Sequence, residues 1–356
     1  MRITSTFALF VLVLATSLAF AQDVRIGVLG LFHPRQLTLS APTASALVVH
    51  AAQETFILEK SSGMDLVDIR LSGSSIVLRK GTHIVRGSAV TITGRDNRPV
   101  DFQLAVPGKL TRRYRGILEL RSTPQFLVAM IRMDIETAVA SVVAAESMPG
   151  TPPEALKAQA IAARSYFVAG KDRHRGFDFC DTTHCQFLRE PPAPDTPAGR
   201  ATSATRGAVM VYRSQPFAAM YTRSCSGRTR TPADIGLPGA AYPYYSVDCK
   251  YCREHPAPWQ SRLSVTDAAA LRSSDEPARL RIDRRLGWSA VPSNTFVMEK
   301  ESDHVALHGT GEGHGIGLCQ SGARAMAEAG ATFHQILDHY YPNTTIMNLD
   351  RSVHIR

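Results

Sequence analysis

Residues Ser141 to Gly170 read SVVAAESMPGTPPEALKAQAIAARSYFVAG. Two helical patterns are broken by MPGTPP, and a single acid, Glu146, stands just before the break. Upstream, Asp134 is a good N-cap for the helix IETAVASVVAAE, whose residues Ile135, Val139, Val142, Val143 and Glu146 fall near one face. Met148-Pro149-Gly150 stops it. Thr151-Pro152-Pro153-Glu154 predicts a capping box for the next helix, with Thr at the N-cap, Pro at the first helical position and Glu at the third. That helix, ALKAQAIAARSYFVAG, is rich in alanine, which permits close packing, and Gly170 ends it. Glu146 therefore sits at a helix C-terminus, which carries about half a negative charge. Partial burial there also disfavours the anion. Both effects raise the pKa, as a general acid working at neutral pH requires. The plainer reading is a solvated carboxylate at a helix end.

Working back toward the N-terminus, VRIGVLGLF, ALVVHAA, TFILEK, SIVLRK and AVTITG are short apolar runs between turn signals and read as strands. RYRGILELR and FLVAMIRM add two more, separated by Ser122-Thr123-Pro124. The fold class expected is α+β, with a β-rich region over 22–113 followed by an α/β domain over 114–356. Residues 1–21 have the form of a secretory leader: Arg2, an apolar run from Phe7 to Leu18, and Ala19-Phe20-Ala21 as a cleavage site. The expectation is an exported protein of the periplasm, cell envelope or extracellular space, not membrane-spanning once the leader is cut. The net charge of +9 becomes +8 without the leader, which removes Arg2 and no acid. Such a charge suits an anionic partner. Export argues against nucleic acid and for wall polymer or membrane surface, unless the charge is merely that of a basic exported protein.

Toward the C-terminus, His174, Cys180, His184 and Cys185 place two imidazoles and two thiols within 12 residues. This set suits tetrahedral zinc with no open coordination position, hence an ion that is structural or that orients His184, and not one that activates water. In an oxidising compartment the alternative is a Cys180–Cys185 disulfide with incidental histidines. Of the six cysteines, Cys225, Cys249, Cys252 and Cys319 remain. Cys249 and Cys252 form a possible metal half-site, but no partner pair is obvious in sequence, and a disulfide from Cys225 to one of them is expected. The stretch 261–295 is charged and helix-prone and suggests no role. GTGEGHGIG, residues 309–317, is neither a P-loop nor a dinucleotide fingerprint, so no organic cofactor is expected. Its glycines suit close approach of backbone to a bulky polysaccharide. Thr332-Phe333-His334-Gln335 is a second capping box, opening the helix FHQILDHYY.

Taken in order, VVAAESMPGTPPEALKAQAIAARSYFVAG, DTTHCQF, the SCSG after a strand, YPYYSVDC and GHGIGLCQSGARAMAEAGATFHQILDHYYPNT resemble the signatures of the sporulation protein D/amidase enhancer (SpoIID/LytB) family, from about Tyr114 to Ile346. The resemblance implies a peptidoglycan-cleaving α/β domain behind a β-rich region. Family enzymes look like lytic transglycosylases that prefer glycan strands stripped of stem peptides. Other members enhance a separate cell-wall amidase. Carried onto this chain, the catalytic acid falls on Glu146, and Tyr244, His314 and Gln320 are expected to line a glycan groove. Gln159, Arg164 and Tyr166 also match, with a structural role favoured for Arg164. Some family members bind zinc through a His/Cys set like the one here. The chain departs from the family pattern in having Ser147 after the acid, Cys319 where Ser is usual, and Ser321 where an aromatic is usual. A zinc hydrolase cutting stem peptides fits less well, because the four protein ligands leave no open metal position.

Overall fold

A computed structural model describes residues 22–43, 45–63, 65–171, 173–271 and 275–349; the leader lies outside them. Eleven strands come first. They are β1 (Asp23–Val28), β2 (Gln36–Ser40), β3 (Ala46–Ala51), β4 (Glu54–Glu59), β5 (Leu66–Ser72), β6 (Ser75–Lys80), β7 (His83–Gly87), β8 (Ala89–Thr93), β9 (Val100–Val106), β10 (Leu110–Ser122) and β11 (Leu127–Asp134). Alternation explains them: Leu47, Val49 and Ala51, or Val67, Ile69 and Leu71, point inward while their neighbours face out. All join one twelve-stranded sheet through the long β10. Its first half pairs with β9, and its second half pairs with β11 and β8. The handover is at Gly116, where a Cβ would lie 2.6 Å from Ile131 and 2.7 Å from the Arg132 carbonyl. Only glycine lets the strands pass so closely there. The expected division at 113/114 falls within this strand.

Two helices follow at once, α1 (Ile135–Glu146) and α2 (Pro153–Ala169). The Asp134 carboxylate accepts from the Glu136 and Thr137 N–H groups, the cap read from the sequence. The first predicted capping box is not formed. Pro152 is the N-cap and has no side chain to offer. Thr151 instead donates to the Met148 carbonyl, and Glu154 bonds Lys157 and the Phe333 N–H, tying α2 to the C-terminal helix. Small residues along α2, among them Ala158, Ala160, Ala162 and Ala163, are fully buried because helices and a strand surround it. Arg164 is buried among them, bridged to Glu136 at 2.7 Å and bonded to the Ala208 and Thr202 carbonyls. Its role is structural.

The remainder comprises β12 (Phe179–Cys180), α3 (Pro197–Ala204), β13 (Ala208–Tyr212), β14 (Gln215–Pro216), β15 (Tyr221–Thr222), α4 (Lys250–Glu254), β16 (Pro258–Ser264), α5 (Val265–Ala269), α6 (Glu276–Leu286), β17 (Phe296–Lys300), β18 (His304–Thr310), β19 (Leu318–Cys319), α7 (Gln320–Glu328), α8 (Phe333–Tyr340) and β20 (Thr345–Asn348). The second capping box, Thr332 with Gln335, does form and opens α8. Three cores result. The first lies under the large sheet and α1. The second gathers α2, α7 and α8 with Tyr242, Tyr244, Tyr340 and Tyr341. The third is small and joins the β16–β18–β17 sheet to α5 and α6. The stretch that suggested no role in the sequence is thus a separate packing unit. Among the described residues no helix is long and apolar enough to cross a membrane.

Candidate functional site

Glu146 is the last residue of α1 and opens onto a cleft of about 930 Å³. The chain surrounds it deeply, yet one side stays open to the cleft. Burial pushes its carboxyl up to about 7. The Tyr221 hydroxyl, the Phe187 N–H and the Arg223 charge pull back toward the anion without prevailing. The Phe187 N–H donates to Oε1 at 2.5 Å. The Tyr221 hydroxyl is buried beside the carboxyl but does not reach full hydrogen-bonding geometry. On the other side, the Gln320 amide donates to the Glu146 carbonyl at 3.2 Å, capping the helix end.

Two of the other three acids of the cleft are committed elsewhere, and the third, Glu312, is exposed with no ion pair among the described residues. Asp181, raised to about 6 by burial, accepts from the Leu29 N–H and pairs with Arg112 at 3.0 Å. Glu276 is buried too, but the Arg279 guanidinium grips it through two bonds of 2.7 and 2.8 Å, and its pKa falls below the ordinary value. Arg279 also reaches Asp283 at 2.9 Å. His314 lines the same cleft; burial lowers its pKa, so the ring is neutral, and Nδ1 accepts from the Ile316 N–H at 2.9 Å. Seven arginines and four carboxylates line the cleft. Five of the arginines, Arg173, Arg189, Arg223, Arg281 and Arg284, have no ion pair among the described residues, so the cleft favours an anionic ligand.

Glu146, His314 and Gln320 are therefore brought together as the sequence led us to expect. Tyr244 is not. It is buried in the second core, its hydroxyl donating to the Ala218 carbonyl and accepting from the Met220 N–H at 3.1 Å. Tyr221 and Arg223 occupy the cleft wall that Tyr244 was expected to share. No sequence signal distinguished them beyond their place just before the SCSG turn. Glu276 and Arg279, on the third packing unit, were equally silent. The glycine-rich loop also works differently from expectation. A Cβ at Gly317 would lie 1.9 Å from the Met220 carbonyl, and one at Gly311 would lie 2.2 Å from the Ser226 hydroxyl, both at positive φ. These glycines let the loop press against 220–226 and so build the wall of the cleft.

Beside the cleft, His174, Cys180, His184 and Cys185 converge with their ligand atoms within 4.8 Å of one another. Cys185 Sγ lies 3.1 Å from His174 Nε2 and 3.6 Å from His184 Nδ1, which is 3.8 Å from Cys180 Sγ. Zinc bonds of about 2.0 to 2.3 Å place tetrahedral ligands roughly 3.3 to 3.8 Å apart, so the set fits the ion. All six cysteines are free thiols. The expected disulfide from Cys225 is absent, as is the alternative Cys180–Cys185 bridge.

Comparison with known proteins places this geometry. A family described as stage II sporulation protein matches residues 125–212. The chain is 27% identical to stage II sporulation protein D of Bacillus subtilis over 61% of its own length and 75% of that protein's. It is 28% identical to an uncharacterized protein of Brachyspira hyodysenteriae, covering 67% of this chain and 73% of that one. It is 24% identical to the amidase enhancer of Bacillus subtilis, of which it spans only 38%. The matched segment holds α1, α2, Glu146 and the His/Cys cluster, and the longer alignments agree with it: together they support the SpoIID/LytB family for this part of the chain.

Proposed function

We propose that the protein is an exported cell-envelope enzyme, a lytic transglycosylase that cleaves peptidoglycan glycan strands. The observation that carries this reading is Glu146: a cleft-facing carboxyl with no ion pair among the described residues and a pKa of about 7. Glycosidases that use water need two carboxylates in the site. A lytic transglycosylase needs one, because the sugar supplies its own nucleophile. Glu146 protonates the glycosidic oxygen as the bond to the muramyl C1 breaks. The muramyl 6-hydroxyl closes onto C1, and Glu146 takes back that hydroxyl's proton, leaving a 1,6-anhydro end. Intramolecular attack carries a large effective molarity, so no water need be held. The neighbouring His314, being neutral, adds no competing charge. Unpaired arginines in the cleft match the lactyl carboxylates that stem-peptide removal exposes, which favours peptide-stripped strands.

His174, Cys180, His184 and Cys185 would hold a structural zinc, which supplies cross-linking and leaves no open position for water. Cys185 is two residues from Phe187, whose N–H donates to Glu146. The cluster therefore fixes the segment that orients the acid.

A second reading rests on the amidase enhancer relative: a wall-binding protein that stimulates a cell-wall amidase without cutting glycan itself. Mass spectrometry of stripped and unstripped strands separates the two. Anhydromuramyl ends from the wild type, absent with Glu146→Gln, support the enzyme. Unchanged strands with both proteins, together with retained wall binding, sink it in favour of the enhancer.

A further inference from the structure

Four cysteines that the proposed chemistry does not use meet in the second core. Cys225 follows β15, Cys249 is the N-cap of α4, Cys252 lies in its first turn, and Cys319 ends β19. All four are buried, and their sulfurs lie within 4.8 Å of one another. Cys252 and Cys319 Sγ are 3.4 Å apart and not bonded. Zinc–sulfur bonds of about 2.3 Å put tetrahedral sulfurs roughly 3.8 Å apart, so only small adjustments close the cage. An iron–sulfur cluster would hold the thiolates wider, because iron and inorganic sulfide would lie between them.

Two further features point to an ion. Hydroxyls are aimed at sulfur inside an otherwise apolar core: Ser224 Oγ lies 3.5 Å from Cys252 Sγ, and Tyr340 Oη lies 3.4 Å from Cys249 Sγ. Outer donors of this kind steady metal-bound thiolates. Gly322, in the first turn of α7, leaves the space they need. A Cβ there would stand 2.5 Å from Cys249 Sγ and 2.0 Å from Tyr340 Oη.

We infer that Cys225, Cys249, Cys252 and Cys319 form a second, all-thiolate structural zinc site. It ties the 224–226 segment, α4 and the start of α7 into one block. Tyr221 and Thr222 pair in parallel with Leu318 and Cys319, and Gln320 caps the helix that carries Glu146. The site thus braces the cleft wall opposite the His/Cys cluster. It stands or falls independently of whether the chain cuts glycan.

The test uses the full chain carrying Cys185→Ser, which removes a ligand of the His/Cys cluster. Elemental analysis should still find one zinc per chain, and X-ray absorption should show four sulfurs at about 2.3 Å. A purified variant without zinc, one holding iron instead, or one whose zinc has nitrogen ligands would overturn the assignment. Should that variant not fold, non-reducing peptide mapping of the wild type decides. Four alkylatable thiols that react only after chelation are expected, and a disulfide between any two of the four refutes the site.

Discussion

Two buried glutamates face one cleft from opposite packing units, and their chemistry diverges. Glu146 ends α1 and is pushed up to about 7 by burial. Glu276 opens α6, is also buried, and is held below its ordinary value because Arg279 outweighs that burial. Asn294 donates to Glu276 as well, at 2.5 Å. Burial alone does not make a general acid; burial without a cation does. Asp181 falls between the two: Arg112 pulls its pKa down, yet burial still leaves it raised to about 6.

The largest effect expected is on the reaction. Glu146→Gln should lower glycan cleavage by about 10²- to 10⁴-fold, the usual worth of a positioned acid. In the wild type the acid must be protonated to begin the step. Since protonation is lost as pH rises through about 7, kcat/KM should fall about tenfold per unit above that point. A pH profile flat to 9 would break the assignment of roles between the two glutamates.

Next in size is Arg279→Met. It leaves Glu276 and Asp283 buried without their cation, which should cost about 3 to 5 kcal/mol at neutral pH. The loss should shrink at acid pH, where both carboxyls take up protons. Urea unfolding at pH 7.5 and pH 5 reads this directly. An equal loss at both would mean that Arg279 acts by packing alone.

Glu146→Gln should also change stability, with the opposite sign. A carboxyl whose folded pKa is raised contributes nothing adverse below its unfolded value of 4.5; the burden on the fold builds as pH rises from there and is complete above about 7. The neutral glutamine removes that burden and keeps an acceptor for the Phe187 N–H. The variant should match the wild type at pH 4 and exceed it at pH 8.5 by on the order of 2 kcal/mol, a figure reduced for the open side of the carboxyl. Equal stability at both pH values would place Glu146 in water.

The contrast between the glutamates was half legible in the sequence. Glu146 announced itself because helix cap, apolar face and stop signal all lie within a few residues of it. The His/Cys set was legible for the same reason, its four ligands being crowded into one loop. Glu276 and Arg279 were not, because their pairing is within one short helix while their relevance depends on how a separate packing unit docks against α1. The four remaining cysteines were opaque for a related reason. Cys225 and Cys319 are adjacent only because β15 and β19 pair in parallel, and nothing local encodes that register. Tyr244 was misplaced because a tyrosine among tyrosines reads the same whether it lines a groove or fills a core.

The smallest effect tests the foundation of the comparison, the helix that delivers Glu146. Asp134 and Glu146 are the two ends of α1. At the N-terminus a carboxylate is welcome: Asp134 accepts from Glu136 N–H at 3.0 Å and Thr137 N–H at 3.2 Å and meets the positive end of the helix dipole. Asp134→Ala should therefore cost about 1 kcal/mol. Because α1 is held along its length by Val139, Val142 and Val143 in the core, this loss should leave the acid in place. The Tm should drop by a few degrees while kcat/KM and its pH profile stay unchanged. A shift in the profile toward lower pH would show instead that the far end of the helix has frayed and let water reach Glu146.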